Sequence, residues 1–253
     1  MTATMVARCV RLSSRQTDSL ITSLTLPVLL MVTFVYLFGG AIETGTPYIT
    51  YVVPGVLLLC AAVGSATTAV TVSQDLKGGI IDRFRSMDVR GITILSGHVA
   101  ASIARNLFSS VLVMGIALAI GFRPHGSVIG WLAALAVLLM FVIAVSWLSA
   151  AFGLLVTSPD AANSIMFVLM FLTYASSAFV PVRTMPWWLH GFAYNQPATP
   201  VIETLRGLLS GTSGTASHAA LAVAWCVGIT AASILASSLL WNVRTRRLST
   251  SVG

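Results

Sequence analysis

The uncharged run VIGWLAALAVLLMFVIAVSWLSAAFGLLV, residues 128–156, decides the fold class of this chain. About 20 consecutive apolar residues in a helix are enough to cross the hydrocarbon core of a bilayer. This run is longer than that and contains no Asp, Glu, Lys or Arg. It therefore predicts a transmembrane helix.

Further long apolar runs occupy most of the remaining sequence. The chain is 57% hydrophobic and only 8% charged, with a mean hydropathy of +0.92, whereas a soluble domain is about 25% charged. We therefore expect an all-α integral membrane protein, with one transmembrane domain over residues 1–253 and six transmembrane helices. The predicted spans are residues 20–40, 48–72, 98–122, 128–156, 164–181 and 218–241.

Basic residues lie mainly on one side of these spans. With six crossings, only Arg123, Arg183 and Arg206 of the 14 Lys and Arg residues fall on the side away from the termini. The positive-inside rule then places both termini in the cytoplasm. We expect the membrane to be a bacterial inner membrane, because one lysine against thirteen arginines, with abundant Ala, Val and Gly, suggests a GC-rich bacterial genome. The net charge of +7 is assigned to topology and not to nucleic-acid binding, because the basic residues flank apolar runs instead of forming one patch.

Two charged segments on the cytoplasmic side are predicted to be amphipathic helices. Within residues 1–19, Arg8, Arg11 and Arg15 share one helical face, which predicts an interfacial helix on the inner leaflet. Within the loop 73–97, apolar residues recur at helical spacing and charges of both signs cover the rest, which favours docking on a soluble partner over a solvated loop. The apolar positions of that stripe are Leu76, Ile80, Phe84 and Met87.

Residues 182–217 form the one long external segment. Thr199 is expected to cap a short helix in which Pro200 takes the first position. That helix is too short to cross a bilayer, so it is predicted to be re-entrant or to lie flat on the outer leaflet. Glu203 and Arg206, at i and i+3, can form an ion pair that lowers the cost of lying near lipid.

The sequence offers no catalytic or metal-binding constellation. Lys77, the only lysine, does not lie in a GxxxxGK[ST] loop, so the chain cannot hold ATP in a Walker A site. Asp75, Asp160 and Arg105 are expected near cytoplasmic ends of spans, whereas ion-coupled transporters carry acidic residues at mid-membrane. Energy is therefore expected to arrive from outside the membrane domain. The histidines lack metal-binding spacing and are scattered as His98, His125, His190 and His218.

Two motifs resemble those of permease subunits of type-2 ABC exporters, especially the daunorubicin-resistance-like drug export permeases. They are QDLKGG at residues 74–79, and NQPATP at 195–200 followed by ETLRG at 203–207. The resemblance implies a half-transporter that pairs with a second permease, identical or similar, and with two copies of a cytoplasmic ATPase subunit. ATP and Mg would be bound by that ATPase, so this chain would need no cofactor and ATPase activity would belong to the complex. The implied cargo is a lipophilic drug, antibiotic or lipid, exported by alternating access.

The resemblance also implies three groups of functional residues. The ATPase-coupling group is Gln74, Asp75, Leu76, Lys77, Ile80, Phe84, Arg85 and Met87. The substrate path, bounded by the first, second and fifth spans, is assigned to Thr33, Phe34, Phe167, Phe171 and Tyr174 for their span membership and aromatic or hydroxyl character. The external gate is Asn195, Pro197, Pro200, Glu203 and Arg206. Any one path residue could equally pack against a neighbouring helix or lipid.

Three alternative functions remain open from the sequence. The first is an ion-coupled multidrug transporter, which would lose transport when the membrane potential is dissipated at constant ATP. The second is an ABC export permease for a polysaccharide or glycolipid. The third is a membrane scaffold without transport activity.

Overall fold

All regular structure in the described part of the chain is helical. The computed structural model describes residues 17–42, 45–78, 91–212 and 216–250. A π-helical turn, Phe34–Phe38, continues the first helix, and a short 3-10 turn, Val182–Thr184, follows the fifth. The α-helices are α1 Thr17–Thr33, α2 Tyr48–Lys77, α3 Gly91–Ile120, α4 Val128–Leu155, α5 Pro159–Tyr174, α6 Trp187–Asn195, α7 Ala198–Ser210 and α8 Ala216–Thr250.

Four of these helices are long and apolar enough to cross a membrane within the ranges described. They are α2, α3, α4 and the part of α8 from Ala216 to Trp241. These helices lie where the sequence predicts the second, third, fourth and sixth spans. The chain is thus a membrane protein by composition, helix length and helix apolarity together.

The helices on either side of the predicted loop 73–97 are longer than the sequence indicated. α2 continues through Lys77 and α3 already begins at Gly91. Polar residues can keep backbone hydrogen bonding after a helix leaves the apolar layer, so hydropathy alone makes both helices too short on this side. Four predicted coupling residues lie outside the described residues: Ile80, Phe84, Arg85 and Met87.

Arg105 contacts α2 from within α3. It lies halfway along the 30-residue α3, which begins before the predicted third span does. Its Nη2 donates a hydrogen bond to the carbonyl oxygen of Gly64 in the middle of α2, at 2.9 Å. This hydrogen bond joins α3 to α2 and lowers the free-energy cost of placing a cation between them.

The first and fifth predicted spans also differ in their bounds. α1 begins at Thr17, and the rest of the predicted interfacial helix over residues 1–19 lies outside the described residues. α5 begins at Pro159, because the Oγ of Ser158 accepts a hydrogen bond from the N–H of Ala161 at 3.1 Å and so caps the helix. It ends at Tyr174, well before residue 181, and residues 175–180 form a largely buried turn.

α2 lies at the centre of the bundle. It packs against α1, α3, α4, α5 and α7, and Val52, Val53, Leu58 and Leu59 on it are fully buried. Helices in a membrane associate through close packing and interhelical hydrogen bonds, since lipid is as apolar as their side chains. The enclosure of α2 therefore depends on how closely its neighbours approach.

A seam of small polar side chains joins α2 to α3 and α4. The Nδ2 of Asn106 donates to the Oγ of Ser65 at 3.2 Å and to the carbonyl oxygen of Ser102 at 2.9 Å. The hydroxyls of Ser102 and Ser146 lie 2.9 Å apart, and Ser146 donates to Ser65 at 3.2 Å. Gly64 permits this approach, because a Cβ there would lie 2.1 Å from the Oδ1 of Asn106.

Candidate functional site

The end of the bundle at which α2 begins carries the short helices α6 and α7, and we call it the α7 end. α7 packs against α2, α4 and α8. The carbonyl oxygen of Leu209 accepts hydrogen bonds from the N–H groups of His125 and Gly126, at 3.1 and 2.9 Å. Gly211 then ends α7 in the left-handed conformation, with φ of 71°. α7 is therefore fixed across the end of the bundle.

Arg206 makes the most extensive polar contacts at this end. Its Nη1 lies 2.6 Å from the Oε1 of Glu203, as the i, i+3 spacing predicted. Its Nε and Nη2 donate to the carbonyl oxygen of Tyr51 in α2, at 3.3 and 3.2 Å, and Nη2 also donates to that of Ser177 at 2.8 Å. The guanidinium carbon lies 3.7 Å from the centroid of the Tyr51 ring. We call this arrangement the Arg206 clamp, since one planar fork ties α7 to α2 and to the turn after α5.

The turn at residues 175–180 is held by further contacts that the sequence did not indicate. The Nε2 of Gln196, which is buried, donates to the carbonyl oxygen of Ala175 at 2.6 Å. The hydroxyl of Tyr48 donates to the carbonyl oxygen of Phe179 at 2.8 Å. Carbonyl oxygens of this turn thus accept hydrogen bonds from α2, from α7 and from the link between α6 and α7.

Thr199 is not the cap of α7, contrary to the prediction. The helix begins at Ala198, and Pro197 takes the cap position. The Oγ1 of Thr199 donates to the carbonyl oxygen of Ala193 in α6 at 2.5 Å instead. The reason is that the short link between the helices folds α6 onto α7, which brings a carbonyl acceptor to a hydroxyl that is already inside the first turn.

The remaining predicted gate residues occupy two environments. Asn195 is exposed, and its Nδ2 donates to the carbonyl oxygen of Gly191 within α6 at 2.7 Å. Pro200 is buried in the first turn of α7, where a missing N–H leaves no donor unpaired. The structure thus brings Glu203 and Arg206 together, whereas the side chain of Asn195 bonds within α6.

The predicted path residues divide into an aromatic cluster and an exposed face. The rings of Phe34 and Tyr174 both stack on Phe179, with centroids 4.6 and 5.2 Å apart. Phe179 was not predicted, because it lies in the turn after α5. Phe167 and Phe171 on α5 are 60% and 62% exposed. Thr33 lies beside Phe34 at the end of α1 and is partly buried.

An apolar groove of about 380 Å³ lies elsewhere, between α3, α4 and α7. Met114 and Leu118 of α3, Trp131 and Leu135 of α4, and Leu209 of α7 are among its lining residues. None of the five predicted path residues lines it. The groove therefore opens on a different side of α2 from the aromatic cluster.

The predicted coupling residues that are described lie at the other end of the bundle, in the last turn of α2. The Oδ2 of Asp75 lies 3.1 Å from the Nε2 of His98 on α3. Leu76 packs on a small apolar cluster that includes Leu95 of α3 and Leu154 of α4. Gln74 and Lys77 are exposed. The two helices that flank residues 79–90 are thus tied to each other, and His98 is a participant that sequence reasoning missed.

No described part of the chain gathers three potential metal ligands from His, Cys, Asp or Glu. The described cysteines, Cys60 and Cys226, are buried and not in disulfides. What the polar residues form instead is a set of ties between helices at both ends of the bundle. Such an arrangement can hold two ends of a helix bundle in defined positions and can be released by breaking a few hydrogen bonds.

Comparisons with known proteins cover most of the chain. Residues 2–209 match the family described as ABC-2 type transporter. The chain is 30% identical over 197 residues to a daunorubicin resistance ABC transporter permease protein, DrrB1, of Streptomyces coeruleorubidus. That alignment covers 77% of this chain and 70% of the relative. It is 23% identical over 200 residues to a probable doxorubicin resistance ABC transporter permease protein, DrrC, of Mycobacterium tuberculosis, covering 78% and 72%. It is also 23% identical over 261 residues to a putative transport permease, ycf38, of Pyropia yezoensis, covering 97% and 89%.

Proposed function

The chain belongs to the ABC-2 type transporter family, and from that premise we propose that it is the permease subunit of an ATP-driven exporter of lipophilic small molecules. The observation that carries this function is the likeness to drug-resistance permeases along most of the chain. The exposed aromatic and apolar side chains of α5 suit a lipophilic cargo, since sites for such molecules are mainly apolar with few polar groups. A drug, an antibiotic or a membrane lipid would fit this description.

The proposed topology has six spans in a bacterial inner membrane, with both termini in the cytoplasm. α1 and its π-helical turn run from Thr17 to Phe38 without a break, and at about 1.5 Å per residue they reach across a hydrocarbon core of about 30 Å. α5 has 16 residues and is shorter, but the buried turn that follows it completes the crossing. Non-helical backbone at such a depth is tolerated where protein surrounds it. The α7 end is then external.

The power source is an ATPase subunit that docks on the cytoplasmic end. Residues 73–90 of the predicted loop 73–97 are the docking segment, in which Asp75 and Leu76 contact the bundle and the apolar positions up to Met87 contact the ATPase. Two ATPase copies and a second permease complete the transporter. ATP and Mg are bound by the ATPase, which closes on ATP and moves the docking segments. The Asp75–His98 contact passes that motion from the segment to α3 as well as α2.

The cargo leaves along the interface between the two permeases. Phe167 and Phe171 of α5 offer an exposed aromatic face to the second permease, while Thr33, Phe34 and Tyr174 lie behind it. The Arg206 clamp holds the outer end closed by fixing α7 to α2. Opening requires the carbonyls of Tyr51 and Ser177 to part from the guanidinium, which is a small set of hydrogen bonds for a conformational change to break.

Reconstitution with and without the ATPase tests this function. The full chain is copurified with the ATPase subunit from its own genome and placed in vesicles, and uptake of daunorubicin is followed by fluorescence. We expect uptake that needs ATP, fails with a Walker A variant of the ATPase, and persists when ion gradients are dissipated. Uptake by the permease alone would refute the proposal.

Two other results would redirect it. Loss of uptake on dissipating the gradients at constant ATP would identify an ion-coupled transporter. ATPase stimulation by a lipid-linked glycan, with no movement of lipophilic probes, would identify a polysaccharide or glycolipid exporter.

A further inference from the structure

A polar cavity lies beside the Arg206 clamp at the α7 end. Its volume is about 380 Å³, and it opens between the start of α2, the 3-10 turn and α7. Both partners of the clamp, Glu203 and Arg206, form part of its wall. Hydroxyl groups line much of the remainder, from Thr46, Thr50, Tyr194 and Ser210. The cavity therefore presents many hydrogen-bond donors in a small space.

The described residues that line this cavity carry a positive charge overall. Arg206 is neutralised by Glu203 at 2.6 Å. Arg183 also lines the cavity and is exposed, and no carboxylate in the described ranges pairs with it. The N-terminus of α2, which begins at Tyr48 beside the cavity, adds partial positive charge from the dipole of the helix. Among the described residues that line the cavity, Arg183 is thus the cation that has no carboxylate partner.

The position of the cavity along the membrane normal is indicated by tryptophans. Trp187 and Trp188 begin α6, a few residues after Arg183, and they are 83% and 67% exposed. Exposed tryptophans at the end of a helix bundle lie preferentially at the level of the lipid headgroups. Arg183 and the cavity are consequently at the level at which phosphate groups of phospholipids are found.

We propose that this cavity binds a phosphate-type anion, with Arg183 as the principal charged contact and the surrounding hydroxyls as further donors. Arginine is well suited to phosphate because its planar fork donates two parallel hydrogen bonds. The phosphate group belongs either to an anionic phospholipid of the adjoining leaflet or to a free phosphate compound. A ligand here would touch Arg206 and Glu203 and so would bear directly on the clamp.

Binding of two phosphate probes to the full chain in detergent tests this site. The probes are short-chain phosphatidylglycerol, followed by native mass spectrometry, and inorganic phosphate, followed by the shift in thermal unfolding. We expect Arg183→Gln to weaken phosphatidylglycerol binding about tenfold, which is the loss of roughly one charge-assisted hydrogen bond. Arg183→Lys should retain part of the affinity. The control is Arg123→Gln, which removes another exposed arginine from the same end but not from the cavity, and which should bind as the unaltered chain does.

Each outcome has a definite meaning. Sensitivity of phosphatidylglycerol binding alone to Arg183 identifies a lipid site, and sensitivity of inorganic phosphate binding identifies a site for free phosphate. Unchanged binding in Arg183→Gln, or an equal loss in Arg123→Gln, would overturn the proposal. Neither assay requires ATP, cargo or the ATPase, so its failure is separable from failure of the transport function.

Discussion

Replacing Arg206 by Met should destabilise the chain more than any other single change at the α7 end. The substitution keeps an unbranched side chain but removes the bond to Glu203, the three bonds to the carbonyls of Tyr51 and Ser177, and the contact with the Tyr51 ring. A hydrogen bond to a charged group contributes about 1.5–3 kcal/mol, and a cation–π contact about 0.5–1 kcal/mol. The Arg206 and Glu203 side chains are 15% and 29% exposed, so solvent reduces these values. We expect a loss of about 2–4 kcal/mol.

A graded set of variants separates the contributions to the clamp. Glu203→Gln removes the ion pair but leaves the carbonyl contacts of Arg206, so it should cost only about 1 kcal/mol. Arg206→Lys keeps the charge, but its ammonium group cannot reach several acceptors at once as the planar guanidinium does. Its loss of stability should therefore lie between those of Glu203→Gln and Arg206→Met. Arg123→Met is the control, since Arg123 is exposed and outside the clamp.

The assay is thermal unfolding of the purified full chain in mild detergent, followed by tryptophan fluorescence. The midpoint should fall on the order of 10 °C for Arg206→Met, less for the other clamp variants and not at all for Arg123→Met. ATP-dependent flux in the reconstituted complex should fall in the same order. Equal midpoints for Arg206→Met and Arg123→Met would show that the clamp contributes nothing to stability, and the argument for an outer closure would fail with it.

Three further predictions concern the bundle and its cytoplasmic end. Gly64→Ala should lower the unfolding midpoint, because the new Cβ would lie 2.1 Å from the Oδ1 of Asn106 and overpacking costs about 1–3 kcal/mol. Adding Asn106→Ala should restore part of that loss. If the two losses of stability were simply additive, the clash would be contradicted. Phe84→Asp should uncouple ATP hydrolysis from transport with normal membrane insertion, and undiminished transport would remove Phe84 from the docking segment. His98→Ala should lower the ratio of transport to ATP hydrolysis, because Asp75 loses its contact with α3. An unchanged ratio would show that the Asp75–His98 contact does not transmit motion from the docking segment.

Local spacing predicted the part of the clamp that lies within one helix. Glu203 and Arg206 are three residues apart, so a helix must bring them together. The acceptors in Tyr51 and Ser177 are 155 and 29 residues away from Arg206, and no local pattern relates them.

Hydropathy located helices but not their ends. The apolar runs marked the positions of α2, α3, α4 and α8, because the cost of placing polar groups in lipid dominates within those runs. The ends depend on capping and on contacts beyond the membrane. Ser158 started α5 earlier than its apolar run indicated, and the tie between Asp75 and His98 accompanied the extension of α2 and α3.

The enclosure of α2 has a consequence for how the protein is made. α2 is synthesised second, yet most of the helices that surround it emerge from the ribosome later. Until they arrive, the hydroxyl of Ser65 has neither of its interhelical partners and can bond only to carbonyls of its own helix. We therefore expect the insertion machinery to retain α2 until α3 and α4 supply Asn106 and Ser146. Release of the early helices into the membrane would then depend on synthesis of the later ones.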